Sequence, residues 1–210
     1  MTGGQVAVLV VIYTVEAGRL QVLLIRRSAE PFKDWWSLPG GLLNPDESLQ
    51  EAAVRKLAEE TGVTDVFLEQ LYTFSDLDER RSMAVVYFAL VDIGQAQMAR
   101  RAEWLPAWFP IDELPELAFK NDEVIGYALG RLRAKLDYSN VAYSLLPAEF
   151  TLSRLQGTYE AILGRGLDKR NFRKRILSLG IIEATGRQAS EGRHRPAGLY
   201  AFRERKPVVY

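Results

Sequence analysis

The sequence contains no cysteine and a single histidine among its 210 residues. The absence of cysteine excludes a disulfide framework and a thiolate metal site, and it is consistent with a reducing compartment. One histidine without cysteine also excludes an ordinary zinc centre. The apolar run QVAVLVVIYTV near the N-terminus is short, rich in β-branched residues and not preceded by a basic segment. We therefore expect a buried strand there rather than a signal peptide or membrane span, in a soluble cytoplasmic protein with no membrane partner.

The net charge of zero conceals an asymmetry between the two parts of the chain. Residues 1–150 carry 14 Lys and Arg against 22 Asp and Glu, whereas residues 151–210 carry 13 against 5. Such asymmetry indicates two domains with different partners, and the basic part favours a polyanion. An ordinary solvated basic surface would give the same count. The apolar fraction of 48% is sufficient for a packed core.

The first part alternates strand-like and helix-like segments. Ser48 can cap a helix that runs to Thr61, with Glu51 completing a capping box and Gly62 ending the helix. A second helical stripe follows in NDEVIGYALGRLRAKLD, and the mixed segment YSNVAYSLLPAEF after it is typical of a connection. These patterns predict a domain at residues 1–145 and a second at residues 146–210. Four strands are predicted in the first domain, in QVAVLVVIYTV, LQVLLIRR, VFLEQLYTF and SMAVVYFALVD.

The second part has the element order of a winged helix-turn-helix. Thr151 can cap one helix that ends at Gly164, and Asp168 can cap a second, Lys169–Leu179, before Gly180. Two short strands, IIEATG and GLYAF, then flank the basic turn RQASEGRHRP. In this fold the second helix enters the major groove of DNA and the turn between the strands forms the wing.

Basic residues cluster on the predicted recognition helix, as duplex DNA binding requires. Arginine and asparagine could also read guanine and adenine edges. A solvated amphipathic helix remains the alternative, and His194 alone would mean little. The predicted DNA-binding residues are Lys169, Arg170, Asn171, Arg173 and Lys174 on the helix, and Arg193, His194 and Arg195 at the wing.

The segment GLLNPDESLQEAAVRKLAEETGV in the first domain resembles the Nudix box, G-x5-E-x7-R-E-U-x-E-E-x-G-U, where U is a bulky aliphatic residue. The later segment AWFPIDELP also resembles Nudix domains. The resemblance implies an α+β protein: an α/β/α sandwich with a mixed sheet, followed here by the small winged helix-turn-helix domain. In the family, glutamates on one helix face hold Mg²⁺ or Mn²⁺ and the metal ions grip a diphosphate. Arg55 would help to orient those glutamates.

Lys56 departs from the Nudix pattern, which has glutamate at this position. An ammonium cannot ligate Mg²⁺ and repels it at short range, and its spacing allows a pair with Glu60. An ammonium can still bind phosphate. We therefore expect that no cofactor is required, that any Mg²⁺ binding is weak, and that hydrolysis is lost or strongly reduced. The alternative is a harmless charge exchange at an exposed position of a working hydrolase.

The whole chain, over about residues 5–203, resembles the NrtR family of Nudix-related transcriptional regulators. The basic tail FTLSRLQGTYEAILGRGLDKRNFRKRILSLGIIEATG carries most of the resemblance, together with the Nudix box and LAFKNDEVIGYALGRLRAKL. The resemblance implies a bacterial repressor of NAD-biosynthesis or salvage genes that ADP-ribose releases from DNA. Some members sense sugar-related ligands, and weak residual hydrolysis remains compatible with the pattern. A homodimer would place two basic helices on a palindromic operator.

The expected ligand pocket combines the Nudix helix with residues that precede it. Its arginines would face phosphates and Trp36 would stack on adenine, although Trp35 and Trp36 could equally be core residues. Two alternatives to the repressor are an active pyrophosphatase for ADP-ribose or a nucleotide sugar, and an RNA-binding or scaffold protein. The predicted ligand-binding residues are Arg26, Arg27, Trp36, Glu47, Arg55, Lys56, Glu59 and Glu60.

Overall fold

The structure is a computed structural model that describes residues 6–63, 67–75, 77, 83–96, 105–189 and 196–210. The strands are β1 Val6–Glu16, β2 Arg19–Arg26, β3 Trp36–Ser37, β4 Gly40–Leu42, β5 Phe67–Phe74, β6 Met83–Leu90, β7 Pro106–Pro110, β8 Phe150–Thr151, β9 Ile182–Ala189 and β10 Ala197–Phe202. The helices are α1 Leu49–Thr61, α2 Asn121–Tyr138, α3 Leu152–Leu163 and α4 Lys169–Ser178, with 3-10 turns at Ala118–Lys120 and Val141–Leu145.

The first seven strands form one mixed sheet between two helices. The main strand order is β3-β2-β1-β6-β5, with β4 and β7 paired to β1 and β2; only β1 and β6 run parallel among these pairs. Side chains of β1 alternate between the faces. Val10 packs in the cluster that contains Leu57 of α1, whereas Val11 packs in the cluster that contains Leu132 of α2. This arrangement confirms the predicted α/β/α sandwich.

Helix α1 begins and ends where the sequence predicts. The Ser48 hydroxyl accepts a hydrogen bond from the Glu51 N–H, and the Glu51 carboxylate accepts one from the Ser48 N–H. Gly62 ends the helix in the left-handed conformation, with φ of 70°, which glycine adopts without steric cost. The register of the Nudix-box side chains around the helix is therefore fixed at both ends.

The second part of the chain has the predicted winged helix-turn-helix order. Helices α3 and α4 pack through an edge-on contact of Tyr159 with Phe172, at 5.2 Å between ring centroids, and a three-stranded sheet of order β8-β10-β9 follows. Strand β9 continues to Ala189, three residues beyond the expected IIEATG segment. The first three residues of the predicted turn therefore belong to the strand. Their polarity is compatible with this, because a strand in a hairpin can carry polar residues on its exposed face.

The predicted connection between the domains is buried rather than exposed. Val141, Leu145 and Leu146 lie in one hydrophobic core that includes residues of both parts of the chain. The C-terminal segment returns over this junction, where the Asn140 amide donates to the carbonyls of Glu204 and Lys206 at 3.0 Å. Backbone polar groups of the connection are thereby satisfied within the protein. No helix in the described part of the chain is long and apolar enough to cross a membrane.

Candidate functional site

Arg55 organises the acidic face of α1. Its guanidinium donates two hydrogen bonds to the Glu47 carboxylate, at 2.6 and 2.9 Å, and a third to Glu59 at 3.3 Å. The bidentate arrangement fixes both the position and the plane of the Glu47 carboxylate. The structure thus brings Glu47, Arg55 and Glu59 together, with Arg55 in the orienting position that the resemblance implies.

Lys56 is a buried member of the same cluster. Its side chain is 11% exposed, and its Nζ donates a 2.9 Å hydrogen bond to Glu59 Oε2. Glu60, the partner expected from the helical spacing, is buried as well, at 1% exposure, and its pairing with Lys56 stays a prediction. A harmless charge exchange at an exposed position is therefore the wrong description of Lys56, because this ammonium is fixed among carboxylates inside the protein.

The electrostatics of the cluster favour ionised carboxylates. The hydrogen bonds from Arg55, assisted by the Asn44 N–H, lower the pKa of Glu47 from 4.5 to about 2. Burial opposes ionisation of Glu59, yet the nearby charges of Lys56 and Arg55 outweigh it and lower the pKa of this carboxyl. The bonds to Glu47 in turn raise the pKa of Arg55. The face is consequently a closed network of ionised groups.

Glycine allows β4, which precedes α1, to lie close against β1. A Cβ at Gly40 would lie 2.5 Å from Leu9 Cδ2 and 2.6 Å from the Val8 carbonyl oxygen, so only glycine fits in β4. The buried Asn121 fixes the preceding residues, because its Oδ1 accepts a 2.8 Å hydrogen bond from the Leu38 N–H. Asn121, the first residue of α2, therefore anchors the strand pair that leads to the site.

The arginines at the end of β2 hold the loop of residues 28–35. Arg26 donates to the carbonyl of Asp34 at 3.3 Å, and Arg27 donates to the carbonyl of Pro31 at 2.9 Å. The Arg27 guanidinium also lies over the Phe119 ring, 4.6 Å from its centroid, and burial lowers its pKa. Both predicted phosphate ligands thus have structural roles in this loop.

The two tryptophans have different environments. Trp36 lies half-buried in β3, where its ring contacts Phe109 edge-on at 4.7 Å between centroids. Trp35 is 39% exposed and lines a cleft of about 390 Å³ together with Leu117 and Asp122. Trp35 is therefore the tryptophan that lines this cleft, and the stacking of Trp36 on adenine stays a prediction.

An aromatic cluster beside Trp35 was missing from the sequence prediction. Phe32 contacts Trp35 at 5.4 Å and Phe119 at 5.0 Å between ring centroids. Phe32, Phe119 and Lys120 adopt φ of 64°, 55° and 51°, a conformation that costs free energy for residues other than glycine and concentrates at functional sites. The two phenylalanines are distant in sequence, so no sequence pattern would have connected them.

Helix α4 presents most of the predicted DNA-binding residues to solvent. The Asp168 carboxylate caps the helix by accepting from the Asn171 N–H at 2.8 Å. Phe172 and Ile176 are buried beneath the helix. Exposed on its outer side are Lys169, Arg170, Asn171 and Lys174.

Two further arginines of α4 are engaged within the protein. Arg173 is half-buried and donates to the Ser153 hydroxyl of α3 at 3.4 Å, so its predicted role at the DNA is combined with an internal contact. Arg175 pairs with Asp137 of α2 at 3.3 Å. The predicted wing residues Arg193, His194 and Arg195 lie outside the described residues.

Two known families match the sequence. The NUDIX domain matches residues 3–128, and the NrtR DNA-binding winged helix domain matches residues 142–202. The ADPR responsive transcriptional repressor NtrR of Acinetobacter baylyi is 39% identical over 200 residues, which cover 91% of this chain and 79% of the relative. This identity extends over both parts of the chain.

Solved structures also resemble this chain over both of its parts. The crystal structure of Shewanella oneidensis NrtR with a 27mer DNA superposes with a TM-score of 0.81 and 35% identity, covering 94% of this chain and 93% of that one. The NUDIX domain of the same protein in complex with ADP ribose gives a TM-score of 0.54 and 33% identity, covering 63% of this chain and 90% of that one. The chain therefore belongs to the NrtR family, in which a Nudix domain precedes a winged helix DNA-binding domain.

Proposed function

We propose that this chain is a transcriptional repressor that binds duplex DNA through α4 and releases it when ADP-ribose occupies the Nudix domain. The observation that carries the proposal is a combination: an exposed basic helix follows a Nudix helix whose carboxylates are already paired with Arg55 and Lys56. The first feature provides DNA binding. The second replaces one carboxylate of the acidic surface that hydrolysis requires with an ammonium that can bind an anion.

The DNA-binding part is assigned to residues 146–210. Exposed cations on one helix displace counterions from the phosphate backbone and thereby provide affinity. A two-fold homodimer would present two copies of α4 to the half-sites of a palindromic operator. The Shewanella relative in complex with DNA supports this assignment. Genes of NAD biosynthesis or salvage are the proposed targets, and a regulator of a bacterial chromosome acts in the cytoplasm.

The sensing part is assigned to residues 1–145, with ADP-ribose as the effector. The Acinetobacter relative is responsive to ADPR, and the Nudix domain of the Shewanella relative has been crystallised with ADP ribose. The diphosphate would lie against α1, at Arg55 and Lys56. The adenine would stack on Trp35, which lines the cleft beside α2 and is supported by contact with Phe32.

We also propose that the chain does not hydrolyse its effector at a useful rate. Lys56 stands where the Nudix pattern has a carboxylate, and its ammonium bonds to Glu59, so the face has one oxygen ligand fewer and a cation in the place where a metal ion would activate water. Incubation of ADP-ribose with the purified protein and MgCl₂ should return intact ADP-ribose. Accumulation of AMP and ribose 5-phosphate would restore the pyrophosphatase alternative.

The repressor proposal is tested by recovery of sheared genomic DNA with the purified protein at physiological salt, followed by sequencing with and without ADP-ribose. We expect a few palindromic sites that are lost when ADP-ribose is added. A protein with both Arg170→Ala and Lys174→Ala serves as the control, and it should recover none of these sites.

Other outcomes distinguish the parts of the proposal. If specific sites are recovered even at saturating ADP-ribose, the chain is still a repressor but ADP-ribose is not its effector. Sugar phosphates are then the next ligands to test. The absence of specific sites would contradict the repressor itself.

A further inference from the structure

Lys56 introduces a fixed positive charge where the Nudix pattern has a carboxylate. Its ammonium bonds to Glu59 at 2.9 Å, and its side chain is almost completely enclosed. Burial of an ammonium is unfavourable unless a carboxylate compensates for the lost hydration. Lys56 is therefore held in one place by its ion pair, unlike a lysine that moves freely on the surface.

The residues around Lys56 do not fit a divalent cation. Mg²⁺ requires near-octahedral oxygen ligands at about 2.0–2.1 Å. Lys56 replaces one carboxylate of the Nudix pattern, so one oxygen ligand is missing, and its Nζ donates to Glu59 Oε2, which removes a second oxygen from a metal ion. Among the residues that the structure describes, no group of three or more His, Cys, Asp or Glu could hold a metal ion. A metal ion beside Glu59 would also be repelled by the Lys56 ammonium.

We propose that Lys56, held by Glu59 and assisted by Arg55, supplies the positive charge that binds the diphosphate of ADP-ribose, so that the effector binds without a divalent cation. This inference rests on the proposed function, because it identifies the group that recognises the effector. An ammonium provides three N–H donors and is a compact point charge suited to phosphate oxygens. The lysine thus performs the binding role of the metal without its chemistry.

Gly41 lies directly against the Lys56 side chain. A Cβ at this position would lie 3.2 Å from Lys56 Cε and 3.6 Å from Nζ. Pairing of Gly41 with Val8 fixes this stretch of β4 against β1. Because glycine has no side chain, β4 can pack against Lys56 and help to hold the ammonium in place.

The test is a calorimetric titration of ADP-ribose into the full-length protein, once in EDTA and once in MgCl₂. The variants are Lys56→Glu, which inserts the carboxylate of the Nudix pattern, and Lys56→Met, which removes only the charge. Lys135→Met is the matched control, since Lys135 is similarly enclosed and pairs with Glu69 at 2.7 Å. Thermal unfolding establishes whether each variant is folded. If Lys56→Glu does not fold, the affinity of Lys56→Met decides the question.

We expect the wild-type Kd to agree within about twofold between the two buffers. Loss of a charged hydrogen bond weakens binding by about tenfold or more, so Lys56→Met should lose this much in both buffers. Lys56→Glu should lose at least as much in EDTA and regain affinity in MgCl₂. Lys56→Glu should also bind Mn²⁺, and the wild type should not. Electron paramagnetic resonance measures this binding independently of any hydrolysis. Lys135→Met should resemble the wild type.

The inference and the proposed function fail in different ways. If wild-type binding falls about tenfold in EDTA, or if Lys56→Met binds as the wild type does, the inference is overturned while the ADP-ribose effector remains. If the wild type binds ADP-ribose in neither buffer, the effector itself is wrong and the inference falls with it.

Discussion

Arg133 of α2 donates a 2.8 Å hydrogen bond from Nε to the carbonyl oxygen of Ile162, near the C-terminus of α3. A cation at this end of a helix satisfies a terminal carbonyl and interacts favourably with the helix dipole. Asp137, one turn further along α2, pairs with Arg175 of α4. The last helix of the Nudix domain therefore contacts both helices of the DNA-binding motif, and a shift of α2 would be transmitted to α4.

Replacement of Arg133 by alanine should weaken this connection. Loss of the hydrogen bond to Ile162 should lower the free energy of unfolding by about 1–2 kcal/mol. It should also reduce the effect of ADP-ribose on DNA affinity, because the two domains then move more independently. The measurement is DNA affinity by fluorescence anisotropy at zero and saturating ADP-ribose. Arg131→Ala is the control on the same helix, since Arg131 pairs with Glu69 inside the Nudix domain; equal responses in both variants would contradict the role of Arg133.

Cations on α4 should determine the salt dependence of DNA binding. Each phosphate contact contributes about one unit to the slope of log K against log salt concentration. Removing Arg170 and Lys174 together should therefore reduce the slope by about two. Arg19→Ala, which removes an exposed cation of the Nudix domain, should leave the slope unchanged. An unaltered slope in the double variant would show that these residues do not contact phosphate.

Substitution of Trp35 should affect ligand binding, whereas substitution of Trp36 should affect stability. Removal of a stacked aromatic ring weakens base binding by about 1–3 kcal/mol, so Trp35→Ala should raise the Kd for ADP-ribose about tenfold with little change in Tm. Trp36→Ala should instead lower stability by about 2 kcal/mol, because its ring packs on Phe109. Calorimetry and thermal unfolding measure the two effects, and the reverse pattern would return the base-stacking role to Trp36.

The ion pair of Glu47 with Arg55 should make stability depend on pH. The folded protein lowers the pKa of Glu47 from 4.5 to about 2, so the ionised carboxylate is stabilising above pH 4.5 and this contribution is lost as the pH falls towards 2. The stability difference between wild type and Glu47→Gln, measured by denaturant unfolding, should therefore be largest above pH 4.5 and shrink below it. A difference that stays constant down to pH 3 would contradict this origin.

Local sequence signals predicted most of the fold. Ser48, Thr151 and Asp168 each cap the helix that follows, because a short polar side chain next to an apolar repeat satisfies the first N–H groups of a helix without help from distant residues. The short strands β3, β4 and β7 were not predicted. Strands of two to five residues owe their conformation to pairing with a longer neighbour, which local sequence does not encode.

The site was predictable to the extent that it lies on one helix. The Nudix pattern placed Arg55, Lys56 and Glu59 together, and the structure shows the contacts among them. Spacing places both Glu59 and Glu60 within reach of Lys56 on a helix, and the structure shows the bond to Glu59, which was not predicted. The cluster of Phe32 with Phe119 depends on contact between two distant segments, so only the structure could reveal it.

The central claim is that an effector bound at the Nudix domain controls DNA binding at α4. It is tested most directly by titrating ADP-ribose, in EDTA, into a preformed complex of the protein with fluorescent operator DNA while anisotropy is recorded. We expect the anisotropy to fall to that of free DNA, and we expect Lys56→Met to need tenfold or higher concentrations of ADP-ribose for the same change. DNA that stays bound at concentrations of ADP-ribose that saturate the protein by calorimetry would contradict it.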